Sequence, residues 1–503
     1  MANIFEFKKR RVIPNWRTFC TTVSLGELNN SLAIKELPNL NIDSYIIDWN
    51  FDKSISKAGE LLSAAIVNNY ITNNSVIEAA QFILSNKQDS TLAQISLAKN
   101  ILSLNNKKKE EELATDLLDI IIEKEPFYKK INQLKKNIIA FPRNAIAYVE
   151  IARLYSILGQ NDKSYFYLKN AISIDPDNRF ILRAISRHFA KTDIGFAHDI
   201  LRKSNLTNVD PWLTSTEIAL ATIRNRSSRF VKKGLNLINS NNFHPHILTE
   251  LSSSIGTLEL INGSFKSGKK LFNSSLISPN DNSLAQAEWA SKEFGLSFYS
   301  SPIDFDIQNN YEAVAMDNFF QENWDMSFNN ALLWFIDTPY AKRPIQLASH
   351  IASSITDNQE DAIKIIKAGL TSHPNDAELL NNIAYSLGLT NQIEEAEKYL
   401  NKISLNPDLT EKNKICLVAT KGLILHRKGF HDAGRKLYLE AIKSAKDKDF
   451  QYLHSLAIVN FVREEILSGA SNKTELLTMI ENLPVKDKHV EINKIKENII
   501  KLK

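Results

Sequence analysis

The chain has 503 residues, 43% hydrophobic and 23% charged, so it can bury a sizeable core and is not disordered by composition. Its 15 glycines and 14 prolines are about 3% each against a usual 7% and 5%, which disfavours β-sandwiches and phosphate-loop α/β folds and points to a mostly helical chain. A net charge of +4 does not by itself imply a nucleic-acid partner.

Residues 1–50 read as an irregular N-terminal arm. Pro14 and Pro38 interrupt its short helical runs, and Lys8-Lys9-Arg10-Arg11, followed by Trp16 and Arg17, suits docking on an acidic partner. The apolar stretch that a signal peptide needs does not follow the basic cluster. No window approaches 18 uninterrupted apolar residues, so no membrane span is expected. Cys20 and Cys416 sit in no metal or redox spacing, and structural thiols in a reducing, cytoplasmic compartment are expected. Abundant Asn, Ile and Lys, whose codons are AT-rich, make a bacterial source the expectation. Residues 51–109 read as a helical N-terminal cap, with helices over 52–69, 75–86 and 91–104.

The segment Ala145–Asn178 is the clearest unit. Ile151, Leu154, Tyr155 and Leu158 recur at helical spacing, Gly159-Gln160-Asn161-Asp162 breaks the pattern, and Tyr167, Leu168, Ala171 and Ile172 start it again until Asp175-Pro176-Asp177 stops it. Ala377–Pro407 repeats the pattern with Ala384, Ala396 and the closing Pro407. Weaker copies are 342–376 with Ala348, Ala362, Ala368 and Pro374, 417–445 with Gly422, Gly429, Gly434 and Ala441, and 249–279 with Gly256, Gly263 and Gly268.

These segments resemble the tetratricopeptide repeat (TPR) family, whose period is 34 residues. Ala152 matches the small residue between the two helices of a unit, Tyr155 the aromatic that follows, Gly159 the turn, Ala171 the second small contact and Pro176 the unit's end. Ser164 departs from the family's Ala but keeps a small side chain. The resemblance implies an all-α, right-handed solenoid of helix-turn-helix repeats with irregular caps. The expected divisions are a first repeat block over 110–294, a linker over 295–310, a second block over 311–467 and a C-terminal helical cap over 468–503. In the second block Phe319, Phe320, Trp324, Phe328, Trp334 and Phe335 read chiefly as the core of a helix pair, with a docking surface as the alternative.

No catalytic or cofactor motif emerges. Gly263-Ser-Phe-Lys-Ser-Gly268-Lys-Lys270 satisfies G-x4-G-K but lacks the Ser or Thr that ligates Mg²⁺, and it falls at a turn between repeat helices. The pairs His244/His246 and His426/His431 do not have zinc-site spacing. A non-enzymatic scaffold or adaptor without a cofactor is therefore expected.

In the TPR resemblance, the first helix of each unit lines a concave groove. That mapping places Arg153, Arg183, Arg187 and Lys191 there from the first block, and Arg343, Gln346, His350, Asn381 and Tyr385 from the second. Between Arg179 and Lys233 eleven basic residues stand against four acidic ones. Guanidinium forks suit carboxylate or phosphate. The expected partner is a protein offering an acidic or extended segment, held by a regulatory or sensor subunit. The alternative is a nucleic acid on the basic 179–233 face. A solvated basic face with no ligand is also compatible.

Overall fold

In the computed structural model the described residues are 10, 12–17, 42–67, 73–105, 118–240, 242–299, 301–305, 307, 309–403, 409–483 and 489–501. Among them there are helices and no strand. Lys8, Lys9, Arg11, Cys20 and Pro38 lie outside the described residues.

Four helices, α1 (Ile42–Phe51), α2 (Ile55–Val67), α3 (Asn74–Ser85) and α4 (Leu92–Asn105), build a core of their own around Trp49, Leu61, Leu62, Ile83 and Ile101. The arm expected over 1–50 thus ends in a helix, because Ile42 and Trp49 gain an apolar site to fill. After α5 (Glu125–Ala140) the repeats begin. The pairs are α6 (Ala145–Ile157) with α7 (Asn161–Ile174), α8 (Arg179–Thr192) with α9 (Ile194–Lys203), α10 (Pro211–Ile223) with α11 (Val231–Asn239), and α12 (Pro245–Ile261) with α13 (Phe265–Ser275). Next, α14 (Asp281–Phe294) leads into a stretch with one 3₁₀ turn at Pro302–Asp304. The series resumes with α15 (Tyr311–Phe320) and α16 (Trp324–Asp337), α17 (Lys342–His350) and α18 (Gln359–Ser372), α19 (Ala377–Leu389) and α20 (Ile393–Ile403), and α21 (Glu411–Arg427) and α22 (His431–Asp447). It closes with α23 (Gln451–Leu467), α24 (Lys473–Glu481) and α25 (Val490–Lys501).

Small residues set the helix crossings. Ala152, Ala171, Ala384 and Ala396 are fully buried. A Cβ at Gly268 would lie 2.5 Å from Leu260 Cδ2, so this glycine is a helix contact and not part of a phosphate loop. Gly159 and Gly263 turn the chain at φ +68° and +81°, where a side chain is strained. Of the aromatic run, Trp334 and Phe335 are core, Phe319, Trp324 and Phe328 pack against it, and Phe320 is exposed.

The solenoid turns far enough to meet itself. Lys364 Nζ reaches Asp119 Oδ2 at 3.0 Å, and Thr371 Oγ1 donates to the Ile121 carbonyl at 3.3 Å, across 245 and 250 residues of chain. A Cβ at Gly159 would lie 2.8 Å from the Thr371 carbonyl oxygen and 3.1 Å from Pro374 Cδ, so the first clear repeat abuts the close of a second-block repeat. Inside this curl the concave-side helices α10, α12, α14 and α19 are buried on nearly every side.

Candidate functional site

The residues mapped to the groove lie on the first helices of their pairs, α6, α8, α17 and α19, and several of them are engaged within the chain. Arg183 forms a fork to Glu250 at 2.9 and 3.0 Å and sits 4.7 Å above the Trp212 ring, which Arg179 also covers at 5.1 Å. Arg179 pairs with Asp210. Arg153 turns back to Glu150 of its own helix at 2.6 Å. Arg343 binds Glu312 and covers Trp334. Gln346 donates to Glu378 at 2.7 Å. Arg187 lies over the Tyr340 ring at 5.9 Å. The Lys191 side chain lies outside the described residues. On the 179–233 face, Arg224 meets His198 at 2.9 Å, Arg229 donates to the Arg202 carbonyl at 2.7 Å and Lys233 to Asn208 at 3.1 Å. Within the positive stripe counted along the sequence, Arg179 and Arg183 are thus paired with carboxylates, and Arg224, Arg229 and Lys233 are hydrogen-bonded.

Both ends of the chain occupy the concave surface. At the C-terminal end, α25 crosses from α23 to the π-turn Ile351–Ile355 that continues α17. It inserts Ile492, Ile495 and Ile499 into a core containing Tyr385, Ala419 and Leu456. Glu491 faces His350 Nε2 at 3.2 Å and accepts from the Tyr452 hydroxyl. Burial pushes the Glu491 carboxyl up to about 8 and the His350 imidazole down to about 4, so the pair is neutral near pH 7. Tyr385 donates to Asn460 of α23 at 2.8 Å, and Asn381 is buried on the same inner helix. The C-terminal segment therefore covers much of the second-block surface expected to meet a partner.

At the other end, residues 10 and 12–17 form a non-helical strip that bridges the two blocks. Trp16 is 2% exposed, edge-on to His188 at 5.8 Å and tilted against Tyr340 at 5.7 Å. The Trp16 amide donates to the Tyr340 hydroxyl at 3.1 Å, and that hydroxyl donates back to the Trp16 carbonyl. One phenol serving both groups of one residue requires them on the same side, as in an extended chain. Arg17 binds Asp337 at 2.6 Å and Asp281 at 2.7 Å, and donates to the Asn309 carbonyl at 3.3 Å. Asn15 donates to the same Asp281 at 2.7 Å. Arg10 pairs with Glu312 at 3.2 Å and donates to Asn282. Val12 and Ile13 are buried, Ile13 with Val149, Ala152, Leu182 and Ile185 of the first block.

The seat mixes carboxylates with the mapped arginines: Arg343 and Arg187 act on Glu312 and Arg153 acts on Asp337, while Asp281 and Asp337 are left for the arm to pair. Burial pushes Glu312 up, but Arg10 and Arg343 overcome it and hold the carboxyl below its usual value. Burial raises Asp337 even with Arg17 beside it. Asp281 opens α14, where the helix N-terminus also favours its charge. The arginine-rich arm thus meets carboxylates of its own chain. Sequence reasoning missed Asp281, Glu312, Asp337 and Tyr340. The available signal was acidic residues within otherwise apolar helix segments, which need a cationic partner from elsewhere.

The repeat geometry defines the class: a helical-repeat protein whose fold is that of a protein-interaction scaffold. The tetratricopeptide repeat family matches residues 145–178 and 377–408, the units α6–α7 and α19–α20. No curated protein matches it in sequence. Solved structures similar to it include the following three. The human IFIT1 dimer with PPP-AAAA is 12% identical, covers 79% of this chain and 95% of its own, and has a TM-score of 0.32. The APC/C hetero-tetramer Cut9-Hcn1 is 10% identical, with coverage of 91% and 92% and a TM-score of 0.39. Yeast Tom70 is 14% identical, with coverage of 90% and 96% and a TM-score of 0.28. Among the described residues no helix is long and apolar enough to cross a membrane.

Proposed function

We propose that the protein is a non-enzymatic scaffold that holds an extended segment of a protein partner on its concave surface, as an adaptor or as the sensing subunit of a bacterial, cytoplasmic system. One observation carries this reading: the concave surface already holds an extended segment, residues 10 and 12–17, through contacts to its individual side chains. A preformed groove loses little conformational freedom on binding, so several modest contacts suffice to hold a strip of chain. Arg187, beside Tyr340 and Trp16, is the mapped groove residue best placed to meet such a strip. The nucleic-acid alternative is not favoured, since Arg179, Arg183, Arg224 and Lys233 already have partners within the chain.

The test is affinity capture from the native host followed by cross-linking of the purified complex. Cross-links from the partner to inner helices such as α8, α14 and α17 are expected. A partner linked solely to the outer helices would contradict the reading.

A further inference from the structure

We propose that the seat around Asp281, Glu312, Asp337 and Tyr340 binds an extended basic segment with a tryptophan–arginine pair from a partner protein. Residues 10–17 are its tethered internal occupant, and the partner binds by displacing them. This rests on the scaffold reading above and adds the chemistry of the ligand and the way access is controlled.

The seat discriminates by charge. Asn15 and Arg17, both from the arm, bond Asp281, and Arg17 is the cation in contact with Asp337. These carboxylates are about one-sixth exposed even with the arm in place. Withdrawing a cation from a buried carboxylate is strongly unfavourable, because little water is there to replace it. A vacated seat therefore favours an occupant that returns a guanidinium fork to Asp281 and Asp337, and it disfavours an acidic peptide. The slot between His188 and Tyr340 takes a flat aromatic ring, and the Tyr340 hydroxyl serves the backbone of the residue that carries it. Toward the other end, Glu312 and Asn282 take a second guanidinium. The recognised pattern is an arginine, then an apolar pair, then Trp-Arg.

The arm is also built to be exchanged. It belongs to none of the helix pairs, so its removal breaks no repeat. Residues 18–41 stand in sequence between Arg17 and α1. Because the arm belongs to the same chain as its seat, a free ligand must outcompete a local copy.

The experiment uses a fluorescein-labelled peptide of residues 10–17 and fluorescence anisotropy with the full chain. Wild-type protein should bind it at least about tenfold more weakly than the Trp16→Ala/Arg17→Ala variant, whose own arm no longer competes. Adding Asp337→Asn to that variant should remove at least about tenfold of the regained affinity. Circular dichroism checks the fold, and Arg17→Ala is the milder variant should the double substitution unfold. No binding to a folded arm variant, or equal binding to all the proteins, would overturn the proposal. So would a stable arm-exchanged dimer in light scattering, which would make the occupant a second copy of this chain. Peptide binding that follows these rules while the captured partner cross-links only to outer helices would overturn the scaffold reading and leave the seat intact. The reverse pattern would do the opposite.

Discussion

Residues 10–17 and α25 both lie against the concave surface, and different forces hold them. The C-terminal helix is sealed by Ile492, Ile495 and Ile499, and its one buried acid is neutralised against His350 and Tyr452. The arm is held by two arginines on three carboxylates and by a tryptophan between two rings, beside the buried Val12 and Ile13. An apolar seal is non-directional and merges with the core around it. An ion-paired strip leaves buried charges behind when it departs, so its seat retains a preference for one kind of replacement. The same groove is thereby covered at one end by an apolar helix and at the other by a strip whose charges need partners.

The sharpest way to break this contrast is Ile499→Asp. Ile499 is fully buried, and an unpaired charge there should cost about 3–5 kcal/mol. Thermal unfolding should shift strongly downward, and an unchanged midpoint would mean that α25 is not part of the seal. Trp16→Ala comes next. A buried Trp→Ala in a core costs about 3–5 kcal/mol, but the loss from a segment that can undock is capped by the cost of undocking. Its global destabilisation should therefore be smaller than that of Trp334→Ala, with denaturant midpoints as the comparison. Equal losses would make the arm integral core.

A third prediction concerns pH. Glu491 has a folded value raised to about 8, so above its ordinary range the unfolded chain loses a proton that the folded chain keeps. Stability then falls as pH rises from the usual carboxylate range to about 8, by about 1.4 kcal/mol per pH unit for this group, and flattens above. Glu491→Gln retains an acceptor for Tyr452 and a donor for His350, and should make this slope shallower. Equal slopes in pH-dependent urea titrations would contradict the neutral pair. The smallest effect is expected at Gly263, whose φ is +81° with open space around it. Gly263→Ala should cost about 1 kcal/mol through backbone strain, with no change in arm or helix seating by hydrogen exchange.

The repeats were legible because their determinants are local. Ala152, Tyr155, Gly159 and Ala171 mark one unit, and the placing of Arg183, Arg187, Arg343, Gln346, His350, Asn381 and Tyr385 on the first helices of their pairs follows from the phase of each unit. Their partners were not legible. Glu250 meets Arg183 from 67 residues away and Asp337 meets Arg17 from 320 residues away. Such pairings depend on the small rotation per repeat summed along the solenoid, which no local period encodes. The basic arm was expected to dock on an acidic partner, and the sequence could not say that Arg10 and Arg17 meet carboxylates of the same chain. Likewise nothing in the spacing of α25 shows that it folds back over His350 and Tyr385 instead of extending the stack.

The most direct test of the exchangeable arm is hydrogen exchange of residues 12–17 in the full chain, followed as unlabelled peptide of residues 10–17 is added. The Trp16 amide, bonded to Tyr340, and its neighbours should begin protected and lose protection as the peptide takes the seat. Protection that stays constant through saturating peptide would show that the arm is not the seat's exchangeable occupant.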